Sequence, residues 1–136
     1  MTDFRHVTDA FAVSPQITPA DVARAKAEGF TLIINNRPDN ESPGQPAGAE
    51  IEAAARASGL NYVEIPISGR PTLEQANAVT RAVAAANGRT LAFCRSGTRS
   101  ITAWAMGQLA AGAESRAALV REAAAAGYDI GAVLPE

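Results

Sequence analysis

The sequence has 136 residues, 47% of them hydrophobic and 19% charged, which is the balance of one globular domain with its own core, spanning residues 1–136. Its formal net charge of -2 excludes the strongly basic surface that nucleic-acid binding requires. One cysteine and one histidine allow no internal disulfide and no recognisable set of metal ligands, so we expect a reducing environment and no cofactor.

No segment predicts export or membrane insertion. Residues 1–6 lack the cationic start and apolar stretch of a signal peptide. No run in the sequence approaches the roughly 18 apolar residues that a membrane-spanning helix needs. We therefore expect a cytoplasmic protein whose ligands are small molecules, without a membrane or nucleic-acid partner.

The first part of the chain predicts a strand, a helix and a second strand. Residues 7–13 are mixed in character and predict one short strand. Thr18 and Pro19 are typical of a helix start, and that helix is expected to run to Glu28 and to end at Gly29. Residues 30–35 form an almost continuous apolar run, which predicts a central strand buried on both faces, as in a parallel sheet.

Strands and helices continue to alternate through the rest of the chain. We predict strands at 60–67 and 90–93, the first near a sheet edge because Pro66 cannot donate a hydrogen bond. Helices are predicted at 49–57, 73–86, 99–111 and 116–126, followed by a short turn capped by Asp129. This order predicts an α/β fold with a mostly parallel central sheet of four to five strands flanked by helices.

Three loops should meet at one edge of that sheet. Ligands of parallel sheets bind beyond the carboxyl ends of the strands. The loops 36–41, 68–71 and 94–99 all follow predicted strands there, so we expect them to form one pocket. The first of them continues to Gly48, and a loop of that length is more often functional than idle.

The only cysteine, Cys94, stands between the strand 90–93 and the helix that follows. A thiol at a helix N-terminus meets free backbone N–H groups and nearby cations, which favour the nucleophilic thiolate. The alternative is that Cys94 is only a small side chain of the hydrophobic core. Two arginines and three hydroxyl side chains follow it, however, and these are not typical core residues. We therefore predict Cys94 and Arg99 as catalytic, and an anion-binding loop made by Arg95, Ser96, Gly97, Thr98 and Ser100.

A second candidate loop follows strand 30–35 and contains Asn36, Arg37, Asp39 and Glu41. These residues could contact substrate. They could equally form a turn, since Pro38 fixes the backbone and Asp39 and Asn40 bond to nearby amides. An ion pair of Arg37 with Asp39 or Glu41 that shapes the pocket would satisfy both interpretations.

The sequence resembles a known family over roughly residues 10 to 110. The resemblance lies in the stretches 14–16 (SPQ), 33–41 (IINNRPDNE) and 93–100 (FCRSGTRS). They are similar to the bacterial family described as the phosphatase-like domain of beta-lactamase-hydrolase-like proteins. The resemblance implies a tyrosine- and dual-specificity-phosphatase fold. Members are labelled phosphatases or sulfur transferases, and some are fused to or encoded beside a persulfide dioxygenase, which would then be a pathway partner.

Two differences from tyrosine phosphatases favour sulfur transfer over phosphoryl transfer. Only the residues 95–98 separate Cys94 from Arg99, one fewer than in those enzymes, and Phe93 replaces their histidine. This shorter loop looks like the active loop of rhodaneses, and a smaller cradle suits one sulfur better than a phosphoryl group. The loop 66–71 also lacks the carboxylic acid that protonates the leaving group in dual-specificity phosphatases, although Asp39 or Glu41 could replace it.

We therefore predict a sulfurtransferase that moves a sulfane sulfur from thiosulfate or a small persulfide through a Cys94 persulfide to a thiol or cyanide. The alternative is a cysteine-dependent phosphatase that forms a cysteinyl-phosphate. A third hypothesis is a non-catalytic anion-binding module. In each case the partner is a small sulfur donor or a phosphoester.

Overall fold

The computed structural model describes residues 1–135, which form an α/β fold with a five-stranded sheet. The strands are β1 (Arg5–Thr8), β2 (Phe11–Ser14), β3 (Phe30–Asn35), β4 (Asn61–Glu64) and β5 (Arg89–Phe93). The helices are α1 (Pro19–Ala27), α2 (Gly48–Ala57), α3 (Leu73–Ala85), α4 (Thr98–Ala110) and α5 (Arg116–Ala125). The predicted fold class is confirmed.

The sheet has the strand order β1-β2-β5-β3-β4, and every neighbouring pair except β1 with β2 is parallel. β5 is therefore the central strand, between β2 and β3. The prediction of one strand over residues 7–13 was wrong, because the chain reverses at Asp9 and Ala10 and forms an antiparallel hairpin. The Thr8 hydroxyl accepts a hydrogen bond from the Ala10 amide at 3.2 Å and stabilises this turn.

β4 is shorter than the predicted strand 60–67, because its ladder ends at Glu64. It is an edge strand, as predicted. Beyond it the chain still follows its neighbour, since the amides of Ile65 and Ile67 donate to the carbonyls of Asn35 and Asn36 at 2.9 Å. Pro66 lies between them and cannot donate. The loop after β4 is thereby held against the loop after β3.

Three of the helices begin with a side-chain cap. Thr18 and Thr72 form capping boxes with Asp21 and Gln75, and Ser115 caps α5. The N-cap residue of α2 gives no side-chain cap, and neither does that of α4, which is Gly97. The free N–H groups of its first turn therefore face the end of β5.

Helices cover both faces of the sheet. On one face α3, α4 and α5 enclose an apolar cluster in which Phe11 stacks on Trp104 with ring centroids 5.1 Å apart. On the other face α1 and α2 enclose a second cluster that includes Ile17, Ile33 and Ile51. Within residues 1–135, no helix combines the length and the apolar character that crossing a membrane requires.

Candidate active site

Cys94 follows the central strand β5 and is fully buried. Its amide donates to the carbonyl of Ser14 at 3.4 Å, which continues the parallel pairing with β2. The backbone N–H of Gly97 donates to the Cys94 sulfur at 3.1 Å. The structure thus places the thiol under the first turn of α4, where the sequence predicted it, with an amide already directed at the sulfur.

Gly97 gives the loop its shape. Its φ of 97° lies in the left-handed region that glycine tolerates and other residues rarely adopt. A Cβ atom at this position would overlap the hydroxyl of Tyr128. That hydroxyl donates to the carbonyl of Ser96 at 2.8 Å, and burial raises the pKa of Tyr128, which keeps it a donor. The sequence analysis missed Tyr128, whose only signal was a polar aromatic in a chain with 5% aromatic residues.

Arg99 directs its guanidinium at a carboxylate from the loop after β3. Its Nη1 donates to Glu41 Oε2 at 2.7 Å and its Nη2 to Glu41 Oε1 at 2.9 Å, while Nη1 also donates to the Ile67 carbonyl at 2.6 Å. The hydrogen bond to Glu41 raises the pKa of Arg99 against the opposing effect of burial. Interaction with Cys94 raises it further.

Glu41 is an ionised carboxylate at neutral pH. The hydrogen bond from Arg99 is the largest cause that lowers its pKa to about 2, and it outweighs the opposing desolvation. Arg37, whose Nε donates to Glu41 Oε1 at 3.0 Å, lowers the pKa further. A group that is already ionised cannot donate a proton to a leaving group. While it is paired with Arg99, Glu41 therefore holds no proton to donate.

The other predicted residues of this loop hold the loop together. Arg37 is buried and donates to Gln16 Oε1 at 3.0 Å and to the Ser42 hydroxyl at 3.1 Å, in addition to Glu41. Asp39 Oδ1 accepts from the Gly48 amide at 2.8 Å and so caps α2 from outside the helix. Asp39 thus makes a side-chain-to-backbone hydrogen bond with α2, and Arg37 forms an ion pair with Glu41.

Ser100 was predicted to bind the anion and Asn36 was a possible substrate contact, and the structure shows both side chains buried and bonded to each other. Ser100 is fully buried, and its hydroxyl donates to Asn36 Oδ1 at 2.8 Å. Asn36 Nδ2 donates in turn to the Ile65 carbonyl at 2.9 Å. Because buried polar groups need partners, these side chains bond to each other. They tie together the three loops that the sequence predicted to form one pocket.

The remaining predicted residues line the outer side of the loop. Arg95, Ser96 and Thr98 are exposed. The hydroxyl of Ser96 donates to that of Thr98 at 3.1 Å and accepts from the Thr98 amide at 3.4 Å. Among residues 1–135, Arg95 has no ion pair.

A cleft of about 220 Å³ opens beside Arg99. It is lined by residues 69–71 from the loop after β4, by Thr98 and Thr102 of α4, and by Val133 near the C-terminus. Arg70 stands on the loop where the resemblance to dual-specificity phosphatases led us to look for a carboxylic acid. The site therefore has a buried thiol, a paired arginine and, in this cleft, a second arginine.

Comparisons with known proteins show what this chain is similar to. Residues 3–111 match the family described as "Beta-lactamase hydrolase-like protein, phosphatase-like domain". A relative named beta-lactamase hydrolase-like protein from Agrobacterium fabrum is 35% identical over 126 residues, which is 91% of this chain but 29% of that protein. The chain thus spans less than a third of the length of this relative.

Solved structures give the same fold. A candidate phosphatase from Neisseria meningitidis superposes with a TM-score of 0.83 at 28% identity, covering 93% of this chain and 90% of that one. Tk-PTP in its active form superposes with a TM-score of 0.69 at 20% identity, covering 88% and 81%. The predicted phosphatase-like fold is thereby confirmed.

Proposed function

Because the chain belongs to the family of phosphatase-like domains of beta-lactamase hydrolase-like proteins, we propose that it is a cysteine-dependent phosphatase that hydrolyses small phosphomonoesters. Cys94 is the nucleophile, and Arg99 with the amides of the loop 95–100 holds the phosphoryl oxygens. This was the alternative in the sequence analysis. The comparisons support it better than the sulfurtransferase prediction, for which they offer no support.

The observation that carries the proposal is the pairing of Arg99 with Glu41. Two guanidinium nitrogens donate to two oxygens of one carboxylate, at 2.7 and 2.9 Å. An arginine holds two oxygens of a phosphoryl group with this same fork geometry. Arg99, which follows the Cys94 loop, is thus a two-oxygen binding group, and Glu41 is bound to it.

The chemistry has two displacement steps. The Cys94 thiolate attacks phosphorus, the S–P bond forms, and the bond from phosphorus to the ester oxygen breaks, so the alcohol leaves as its anion. Water then attacks phosphorus, the S–P bond breaks, and inorganic phosphate and the thiolate are released. With no carboxylate in residues 66–71, the first step favours esters whose alcohol leaves readily without a proton.

Sulfane sulfur transfer is the second candidate, and the length of the loop favours it. Four residues, 95–98, separate Cys94 from Arg99, so the bowl offers fewer amides than a tyrosine-phosphatase loop. The thiolate would attack the outer sulfur of thiosulfate, form a persulfide and release sulfite, which leaves readily as an anion. A thiol or cyanide would then accept the sulfur.

One experiment separates the candidates. The protein and its Cys94→Ser variant are incubated with 4-nitrophenyl phosphate or with thiosulfate, and phosphate release and intact mass are measured. The phosphatase proposal expects phosphate release that Cys94→Ser abolishes. Sulfur transfer would instead give a Cys94-dependent mass gain of about 32 Da with thiosulfate. Equal turnover by Cys94→Ser in every assay would contradict both chemistries.

A further inference from the structure

The cleft beside Arg99 carries a positive charge that the catalytic scheme does not use. Arg99 is paired with Glu41, with which it shares two hydrogen bonds. Arg70, from the loop after β4, also lines the cleft and is exposed. Within the described part of the chain, 1–135, Arg70 has neither an ion pair nor a side-chain hydrogen bond to another residue. Its charge is available to a ligand.

The cleft also suits a small organic group. Its volume of about 220 Å³ corresponds to roughly seven waters at about 30 Å³ each, enough for a group of about ten non-hydrogen atoms. The side chain of Val133, 36% exposed, gives one wall an apolar surface. The Thr102 hydroxyl donates to the Thr98 carbonyl at 2.7 Å, so on that wall it presents its methyl group more readily than a free donor.

Arg70 cannot replace the general acid of a phosphatase. An arginine keeps its proton at any ordinary pH, but it binds carboxylates and other anions well. Arg70 can therefore select which anion binds in the cleft, but it cannot protonate a leaving group.

We propose that this cleft binds the part of the substrate that is not transferred to Cys94, and that Arg70 pairs there with an anionic group of that part. The substrate is then a small ester with a ring or short chain that ends in a carboxylate. The proposal rests on the function proposed for Cys94 in its choice of ester, but the binding of the anionic part can be measured without turnover.

Binding is measured by calorimetric titration with 4-hydroxybenzoate and its neutral isostere 4-hydroxybenzamide. We expect the wild-type protein to bind the carboxylate about fivefold to tenfold more tightly, as a charge-assisted pair would give. Arg70→Gln should remove this preference and leave the affinity for the amide unchanged. Arg81→Gln, an equal charge change at an exposed position of α3, should keep the preference. Equal affinities in the wild-type protein, or a preference that survives Arg70→Gln, would overturn the proposal.

Turnover separates this inference from the proposed function. The wild-type protein should hydrolyse 4-carboxyphenyl phosphate with a kcat/KM about fivefold to tenfold above that for 4-carbamoylphenyl phosphate, and Arg70→Gln should equalise the two. If neither ester is hydrolysed faster than by Cys94→Ser, the phosphatase function fails, and the titration still decides whether Arg70 binds the anion. If both are hydrolysed equally, the subsite fails and the function stands.

Discussion

Glu41 and a substrate oxyanion compete for the same nitrogens. The Glu41 oxygens lie 2.7 and 2.9 Å from Nη1 and Nη2 of Arg99, so a phosphoryl group can use this fork only after the carboxylate has moved. The side chain of Glu41 is 25% exposed and belongs to the long loop between β3 and α2. Arg99 is thus paired with a carboxylate of the same chain.

We expect Glu41→Gln to bind inorganic phosphate more tightly than the wild-type protein, by about tenfold, because a neutral amide competes less well for the guanidinium. The measurement is the inhibition constant of phosphate in the ester assay, or its affinity by titration. Glu50→Gln, an exposed position of α2, is the matched control and should leave the affinity unchanged. Weaker phosphate binding by Glu41→Gln would show that Glu41 holds Arg99 in place for the substrate.

At the scale of elements, the turn from β5 into α4 determines the geometry of the site. It depends on the left-handed backbone of Gly97 and on the contact of that backbone with Tyr128, which follows α5. Cys94, Gly97 and Arg99 lie within one short stretch of sequence, so a local pattern sufficed to predict them. Tyr128 lies 32 residues from its partner Ser96, and nothing near either residue indicates the contact.

The difference between local and long-range contacts also explains which elements the sequence predicted. The continuous apolar run of β3 gave the same bounds, 30–35, that the structure has, and the five helices were placed to within one residue at each end, because their caps and glycines are local signals. The hairpin of β1 and β2 was missed, since each strand has only four residues and their turn has no glycine. The Glu41–Arg99 pair spans 58 residues and could not be predicted from spacing.

We expect Gly97→Ala to be destabilised by about 3 kcal/mol, from about 1–2 kcal/mol of left-handed strain plus the overlap with Tyr128. Urea unfolding monitored by circular dichroism measures this loss. Gly112→Ala is the matched control, because its φ of 68° is also left-handed while nothing lies within 4 Å of the added Cβ. It should lose only the strain. Equal losses in both variants would contradict a role for the Tyr128 contact.

For the whole molecule, the strand order explains why the loops after β2, β3 and β5 meet near Cys94. β5 is the central strand, and β2 and β3 run parallel to it on either side, so all three end at the same edge. Cys94 follows β5, the Gln16 amide donates to Arg95 beyond β2, and Asn36 follows β3 and bonds to Ser100. The site is thus fixed by the sheet itself, and stability of the sheet and helices is a condition for its geometry.

We expect the pH dependence of the stability of the fold to reflect the ionisation of Glu122 in α5. Desolvation by burial, and next the neighbouring carboxylate of Glu114, raise the pKa of Glu122 from 4.5 to about 7. Its Oε1 is buried and has no hydrogen-bond partner within residues 1–135. The folded protein holds this proton more tightly than the unfolded chain, so folding is favoured below pH 4.5, and stability is lost as the pH rises through about 7.

Glu122→Gln removes the ionisation and should therefore be more stable than the wild-type protein at pH 8, while the two should unfold alike at pH 5. After allowance for partial exposure, the expected gain is about 1 kcal/mol, or roughly 3 °C in Tm. Thermal unfolding at the two pH values measures it. Glu52→Gln, whose carboxylate pairs with Arg56 on the surface of α2 at 2.8 Å, is the matched control and should show no such pH dependence. A gain of equal size at pH 5 and pH 8 would mean that the amide improves packing and that the ionisation of Glu122 costs the folded protein nothing.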